Sequence, residues 1–156
     1  MLKFNIPGRK EIKLEHLVLD FNGTLAIDGK LISGVKERLE ILAKSLKIHI
    51  ITADSFGTVH NELTDLPVTI SVLSPEDQDQ KKLKYVQELG IEKTACIGNG
   101  LNDNLMVKEA ILGISLIQTE GAASQSLLNT DIVCPDINSA LELFYKSNRL
   151  KATLRI

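Results

Sequence analysis

Asp20 is the first residue whose type and position could do chemistry. It ends the apolar run 17–19 and precedes the glycine-containing sequence 21–25, so a buried strand would deliver one carboxylate into a tight turn. A charge at such a place must be solvated by backbone N–H groups, by a cation or by the mouth of a cleft. The alternative is a plain strand-to-turn junction, in which Asp20 and Asn22 form only turn hydrogen bonds.

Three further residues of interest come later in the chain. Thr52 ends an apolar run and offers a hydroxyl, Lys82 lies at the start of a helical pattern, and Asp103 follows another apolar run. A carboxylate nucleophile, a second carboxylate for a hard cation and fixed donors are the groups that phosphoryl transfer requires. Taken singly, these residues fit equally well a strand-end hydroxyl, a surface charge and a helix cap.

Composition limits the class of protein. The chain has 156 residues, of which 44% are hydrophobic, so we expect one domain over residues 1–156. A net charge of −2, 4% aromatic residues and no Trp disfavour nucleic-acid binding. The sequence lacks a secretory signal and an apolar stretch of the ~20 residues that would span a membrane. Two cysteines in apolar runs fit free buried thiols and a cytoplasmic location.

Apolar runs that alternate with helical patterns predict the fold class. We expect strands near 16–20, 47–52, 68–73, 94–98, 112–117 and 131–134. Such alternation predicts an α/β fold with a doubly wound, mostly parallel sheet and helices on both faces. A Pro-Gly signal within residues 1–13 predicts an edge strand or hairpin before this sheet.

The helical patterns lie between these strands. One helix follows Ser33-Gly34 as its cap, and a shorter one begins at Ser55. A third is opened by residues 74–77, has Leu83, Val86 and Leu89 as its buried stripe, and ends at Gly90. Three more helices are expected over 101–110, 120–128 and 138–148, and the basic tail 149–156 either frays or contacts a partner.

The ordered motifs resemble those of the haloacid dehalogenase superfamily. These motifs are Asp-x-Asn-Gly-Thr from Asp20, a hydrophobic run ending in Thr52, a helix-borne Lys, and Gly-Asn-Gly-x-Asn-Asp ending at Asp103. The last motif is most similar to soluble members related to the phosphorylation domain of P-type ATPases. The resemblance covers residues 16 to about 148. A response-regulator receiver, which also combines Asp, Thr and Lys, carries its phosphorylated Asp on a later strand.

The resemblance implies a site for each motif. Catalytic roles fall to Asp20 as nucleophile, Asn22, Thr52 and Lys82. Phosphate would be bound by Asn22, Gly23, Thr52, Ala53 and Lys82. The cofactor would be Mg²⁺, held by Asp20, the Asn22 carbonyl, Asn99 and Asp103. Lys82 fits the register better than Lys81, because the family lysine precedes the apolar stripe of its helix.

Two residues depart from the family pattern. By this resemblance, Asn22 occupies the position at which family phosphatases carry an acidic residue that acts as general acid and base. Asn99 occupies the position at which another acidic residue helps to hold Mg²⁺. An amide cannot exchange the proton that a poor leaving group needs, and general acid–base catalysis is worth ~10²–10⁴ in rate. We therefore expect slow turnover of a phosphoaspartate, or a catalytically weak or inactive phosphate-binding regulatory module. A metal-dependent nuclease is a more distant alternative, because carboxylates and positive charge are scarce.

The sequence leaves little room for a cover over the site. The intervals from Thr24 to Thr52 and from Thr52 to Lys82 are filled by predicted elements, so we expect no cap domain. An Asp-Gly signal within residues 25–32 predicts a small hairpin flap beside Asp20. Selectivity for a phosphorylated small molecule or a macromolecular phosphoester must then come from the substrate itself or from a second subunit, or it is poor.

Overall fold

Parallel strands form the centre of the protein, in agreement with the sequence pattern. The computed structural model describes residues 1–53 and 58–156. The strands in these residues are β1 (Leu2–Phe4), β2 (Ile12–Leu14), β3 (His16–Asp20), β4 (Ala26–Ile27), β5 (Lys30–Leu31), β6 (Lys47–Thr52), β7 (Val68–Val72), β8 (Thr94–Gly98), β9 (Leu112–Leu116) and β10 (Ile132–Cys134). The helices are α1 (Val35–Ala43), α2 (Thr58–Glu62), α3 (Gln78–Leu89), α4 (Asn104–Glu109), α5 (Ser124–Asn129), α6 (Ile137–Tyr145) and α7 (Ser147–Leu154).

The strand order places β3 in the interior of the sheet. The order is β10-β9-β8-β3-β6-β7, and each neighbouring pair is parallel. The chain runs outward from β3 through β6 and β7, then crosses to β8 on the other side and continues outward. Ligands of open parallel sheets bind at such a switch point, beyond the carboxyl ends of the strands. Asp20 ends β3 at this point.

Helices cover both faces of the sheet, so its central strands are buried on both sides. On one face, α1 packs against α6, and Leu17 and Leu19 of β3 belong to the large core cluster. On the other face, α3 packs against α4, and Val18 belongs to a smaller cluster with Cys96. Both cysteines, Cys96 and Cys134, are free and buried, as the sequence predicts.

Two hairpins lie outside the central sheet. β1 and β2 pair in antiparallel fashion, which confirms the hairpin predicted before the sheet. β4 and β5 form the predicted flap around Asp28 (φ 51°) and Gly29 (φ 76°). Positive φ at both central residues is the conformation that a two-residue hairpin turn favours, and Asp-Gly adopts it at low cost. No cap domain is evident in the described residues.

The helix ends differ in part from their prediction. Gly34 precedes α1 with φ 86° and Asp77 precedes α3 with φ 50°, and neither helix has a capping side chain. The start of α1 directly after Ser33-Gly34 is confirmed, with Gly34 as the N-cap residue, whereas the cap predicted at Ser74 for α3 is wrong, because that helix begins after a left-handed turn at Asp77. Leu83 and Leu89 are only half-buried, while Val86 is fully buried. The predicted start of a helix at Ser55 lies outside the described residues.

The later helices are shorter than predicted, and the tail is ordered. A 3₁₀ turn over Leu101–Asp103 precedes α4, and the helix expected from 120 begins at Ser124. Beyond Lys146 the chain forms α7, in which Leu150 and Leu154 are buried in the large core cluster. The expected fraying of the tail is therefore wrong up to Leu154. In the described residues, no helix is both long and apolar enough to cross a membrane.

The packing of α7 predicts that Leu150 stabilises the whole fold. Leu150 is 0% exposed, so Leu150→Ala removes buried methyl groups and should lower the free energy of unfolding by about 2–5 kcal/mol. The matched control is Leu128→Ala, because Leu128 is 84% exposed and should change stability by no more than about 0.5 kcal/mol. Urea unfolding measures both. Equal stability of the two variants would contradict the docking of α7.

Candidate active site

The fold brings Asp20 and Lys82 together through one face of the sheet. Side chains alternate along a strand, so Asp20 shares the face of Val18. Val18 packs with Val86 of α3 in the smaller core cluster. Lys82 precedes Val86 by about one helical turn and therefore shares its face of the helix. The contact that docks α3 on the sheet thus also directs Lys82 to Asp20.

Lys82 lies between two carboxylates. Its Nζ is 2.6 Å from Asp20 Oδ1 and 2.6 Å from Asp103 Oδ1. The side chains of Lys82 and Asp103 are 0% exposed, and that of Asp20 is 9% exposed. The neighbouring Lys81 is half-buried and donates instead to Ser74 Oγ at 2.6 Å. The structure therefore places Lys82, rather than Lys81, at the carboxylates.

Asp103 uses both of its oxygens within the protein. Oδ1 accepts from Lys82, and Oδ2 accepts from the backbone N–H groups of Asn99 at 3.0 Å and Gly100 at 2.9 Å. A Cβ added to Gly98 would lie 2.4 Å from Asp103 Cγ, so only glycine leaves room for this carboxylate. Asp103 thus holds Lys82 and the turn after β8, and its metal-binding role stays a prediction of the resemblance.

Burial and nearby charges shift the pKa values of Asp20 and Lys82. Burial and the nearby Asp103 raise the pKa of Asp20 to about 7, although the charge of Lys82 and its hydrogen bond act in the opposite direction. Burial alone would lower the pKa of Lys82, but the two carboxylates outweigh it and raise that pKa. Lys82 is therefore charged at neutral pH, while Asp20 titrates near it.

The second carboxylate oxygen of Asp20 is held less tightly than the first. Thr24 Oγ1 donates to Asp20 Oδ2 at a long 3.3 Å. Gly23 has φ 80°, and its N–H donates to Ala26 O at 2.8 Å, so the turn already uses a donor that the sequence assigned to phosphate. Asn22 is exposed at the surface of this turn.

Thr52 and Ala53 lie at the same edge of the sheet. Asp20 is in register with Ile51 of the neighbouring strand, so Thr52 follows one residue further along β6. Thr52 is buried and Ala53 is half-buried. The structure thus brings the end of β6 beside Asp20.

A loop that carries no recognised motif joins these turns. Gln118 Nε2 donates to the carbonyl oxygens of Gly23 at 2.8 Å and Thr24 at 2.9 Å. The side chain of Asn99 reaches the same loop, where its Nδ2 donates to Gly121 O at 3.0 Å. Sequence analysis did not identify Gln118 or the nearby Glu120. Their position just after the carboxyl end of β9 is the signal that could have identified them.

The described residues offer a limited set of metal ligands. Among them, no three His, Cys, Asp or Glu side chains lie close enough together to hold a metal ion. The candidate ligands at this edge stay the carboxylate of Asp20, the Asn22 carbonyl, the amide oxygen of Asn99 and Asp103, whose oxygens also accept hydrogen bonds from Lys82 and the backbone. These hard oxygen atoms fit Mg²⁺, which usually keeps several waters among its ligands.

An open cavity of about 530 Å³ lies between the start of α3 and the turn after β8. It is lined by Pro75, Asp77, Gln78, Asp79, Leu101 and Asn102. Asn102 Nδ2 donates to Gln78 Oε1 at 2.7 Å, which joins the two walls. The cavity borders the turn that carries Asp103, but neither Asp20 nor Asp103 lines it.

Comparisons with known proteins agree with this architecture. No model of a known protein family matches the chain. The uncharacterized protein MJ0073 of Methanocaldococcus jannaschii is 53% identical over 78 residues, which are 47% of this chain and 84% of that protein. Among solved structures, 3-deoxy-D-manno-octulosonate 8-phosphate phosphatase from Moraxella catarrhalis, in complex with magnesium, phosphate and KDO, has a TM-score of 0.67 at 22% identity. That match covers 91% of this chain and 94% of the other.

A second phosphatase structure has the same fold. The cobalt-bound deoxy-D-mannose-octulosonate 8-phosphate phosphatase of Haemophilus influenzae has a TM-score of 0.68 at 11% identity, and the match covers 91% of this chain and 90% of the other. These likenesses show that the chain shares the fold of these two phosphatases, which confirms the predicted α/β fold class.

The raised pKa of Asp20 predicts a pH-dependent stability in metal-free protein. The folded-state pKa of about 7 exceeds the unfolded value of 3.8, so this contribution is complete below pH 4 and is lost as pH rises through 7. Between pH 5 and 8, wild type should lose about 2 kcal/mol of unfolding free energy that Asp20→Asn does not lose. Urea unfolding of both proteins measures this difference. Parallel pH profiles would contradict the raised pKa.

Proposed function

We propose that this chain is a metal-dependent phosphohydrolase or phosphotransferase that acts through a phosphoaspartate at Asp20. The chain belongs to the same family as MJ0073, and the proposal rests on its haloacid dehalogenase fold. The observation that carries this proposal is the contact of Asp20 with Lys82, which fixes one carboxylate oxygen at the switch point of the sheet. Oδ2 accepts only a long hydrogen bond and is the oxygen suited to attack.

The reaction follows from this arrangement. Asp20 Oδ2 attacks phosphorus, and the bond from phosphorus to the leaving oxygen breaks with its electron pair. Lys82 keeps positive charge beside the transferred phosphoryl group. Candidate hydrogen-bond donors to the oxygens of that group are the Thr52 hydroxyl, the backbone of the turn at Asn22 and the backbone of Ala53. Water then attacks phosphorus, the bond between phosphorus and Asp20 Oδ2 breaks with its electron pair on the carboxylate, and inorganic phosphate leaves while the proton of water passes to solvent.

The metal in this proposal is Mg²⁺, which would neutralise charge on the transferring group when bound. Asp20, the Asn22 carbonyl and Asn99 would hold it, and Asp103 would act one layer further away through Lys82 and the backbone of Asn99. A nearby dication also favours the ionised form of Asp20, so metal binding and readiness for attack are linked.

In this proposal, the amide side chain of Asn22 makes turnover slow. An amide neither protonates a leaving alkoxide nor removes a proton from water, so leaving groups that need no proton are favoured. Nucleoside diphosphate, phenolate and carboxylate are such groups. The arrangement is similar to that of P-type ATPases, in which the acyl phosphate persists.

The substrate in this proposal is a phosphorylated small molecule or a phosphoester on a macromolecule. The cavity beside α3 has room for the leaving group, and the described cover over Asp20 is the small flap of β4 and β5. The second candidate function is a phosphate-binding regulatory module, favoured by the two amides at Asn22 and Asn99, which stand where the family carries acids.

The assignment of the nucleophile predicts the effect of Asp20→Asn. With Mg²⁺ and an aryl phosphate, acetyl phosphate or ATP, wild type should form a phosphoenzyme, and Asp20→Asn should reduce its formation by at least about a thousandfold. Asp65→Asn is the matched control, because Asp65 is exposed and lies away from the site. Undiminished activity of Asp20→Asn would reject the nucleophile. Neither turnover nor phosphoenzyme in wild type would favour the regulatory module.

The role of Asn22 predicts a gain of function. Asn22→Asp should raise steady-state turnover by up to ~10²–10⁴, and the gain should be larger for an alkyl phosphate than for an aryl phosphate, whose leaving group needs no proton. The comparison of kcat for the two substrates measures this. Asn61→Asp adds the same charge at an exposed position and should leave kcat unchanged. Equal gains for both substrates would count against a missing general acid.

A further inference from the structure

The loop between β9 and α5 is fastened to the turn after Asp20 and to the turn after β8. Gln118 holds it to the carbonyl oxygens of Gly23 and Thr24. Asn99 holds its other end, because Asn99 Nδ2 donates to Gly121 O at 3.0 Å and Asn99 O accepts from Ala123 N at 2.9 Å. The residues between these two attachment points therefore lie next to both turns.

Glu120 is the charged residue in that segment. A Cβ added to Gly23 would lie 2.5 Å from Glu120 Oε2 and 2.6 Å from Asn99 Oδ1. Asn99 Nδ2 would lie at 2.7 Å, so the carboxylate of Glu120 and the whole amide group of Asn99, its oxygen included, border the space that the missing side chain of Gly23 leaves open. Glu120 is exposed and takes part in none of the ion pairs found among the described residues.

The amide at position 99 is already committed to this loop. An amide can donate to the Gly121 carbonyl, whereas an ionised carboxylate accepts only and would repel that oxygen. Asn99 thus fastens the loop at the cost of a charge that a hard cation favours. Asp103 already shares its charge with the Lys82 ammonium and with two backbone N–H groups, so less of that charge is available to a cation.

We propose that Glu120 supplies the second carboxylate to the divalent cation held at Asp20, directly or through a metal-bound water, in place of the acid that is absent at Asn99. The proposal rests on the proposed function for the presence of a metal, and it adds a ligand from a loop outside the recognised motifs. Glu120 is a long, exposed side chain, so rotation about its own bonds brings the carboxylate to the metal while the anchored backbone stays in place.

The test measures metal binding without substrate. The full chain is titrated with Mn²⁺, and the free ion is followed by electron paramagnetic resonance in wild type, Glu120→Gln and Glu88→Gln. Loss of a ligand charge should weaken binding by about tenfold or more in Glu120→Gln. Glu88→Gln removes the same charge from an exposed position on α3 and should bind as wild type does. Asn99→Asp combined with Glu120→Gln should recover part of the lost affinity.

Each outcome separates this inference from the proposed function. Weakened Mn²⁺ binding in Glu120→Gln supports the ligand even if wild type forms no phosphoenzyme. If Glu120→Gln binds Mn²⁺ as tightly as wild type does, the metal-ligand role of Glu120 is overturned. This holds even if dephosphorylation slows in that variant, because Glu120 would then act as an acid or base. Absence of Mn²⁺ binding by wild type also overturns it. A metal-dependent phosphoenzyme would leave the proposed function standing in the last two cases.

Discussion

The buried ammonium of Lys82 is the interaction on which the site depends. Two carboxylates approach it at 2.6 Å in a region closed to water. Burial of a charge is costly unless the partners are close and well bonded, and removal of one partner leaves the others uncompensated. Asp103 meets this requirement with two backbone N–H groups in addition to Lys82. Asp20 does not, and its remaining oxygen is where chemistry can occur.

Much of the fold could be predicted because its strands are buried on both faces. Continuous apolar runs such as 16–20 and 47–52 match β3 and β6 residue for residue. The helix starts were less accessible to prediction. At Asp77 the backbone turns into the left-handed region, where the sequence suggested an ordinary cap formed by the side chain of Ser74. Helix-capping propensity describes the preference of a side chain, whereas the start of α3 depends on the backbone conformation at Asp77.

The candidate site was predictable to the extent that it follows strand ends. Asp20, Thr52 and Asp103 each follow an apolar run, so a parallel sheet brings them to one edge. The complete burial of Lys82 could not be read from its charged neighbours, because it depends on how Val86 docks α3. Glu120 belongs to no motif, and its position just after the carboxyl end of β9 is the signal that the sequence offers for it.

The two amides that depart from the family pattern differ in their surroundings. Asn99 donates to Gly121 O and accepts from Ala123 N through its own carbonyl, so it forms part of a hydrogen-bonded junction. Asn22 is exposed on the surface of the turn. Replacement at position 99 therefore disturbs structure as well as charge, whereas position 22 offers a nearly isolated change of chemistry.

The strand order also sets when the reactive group can exist. β3 is made early but pairs with β8, and Lys82 follows Asp20 by 62 residues. A growing polypeptide therefore exposes Asp20 as an ordinary hydrated carboxylate until the segments that flank it have been synthesised. Long-range parallel pairing closes slowly compared with local contacts. Formation of the contact between Asp20 and Lys82 is thus a late event of folding, and an incompletely synthesised chain carries Asp20 without this partner.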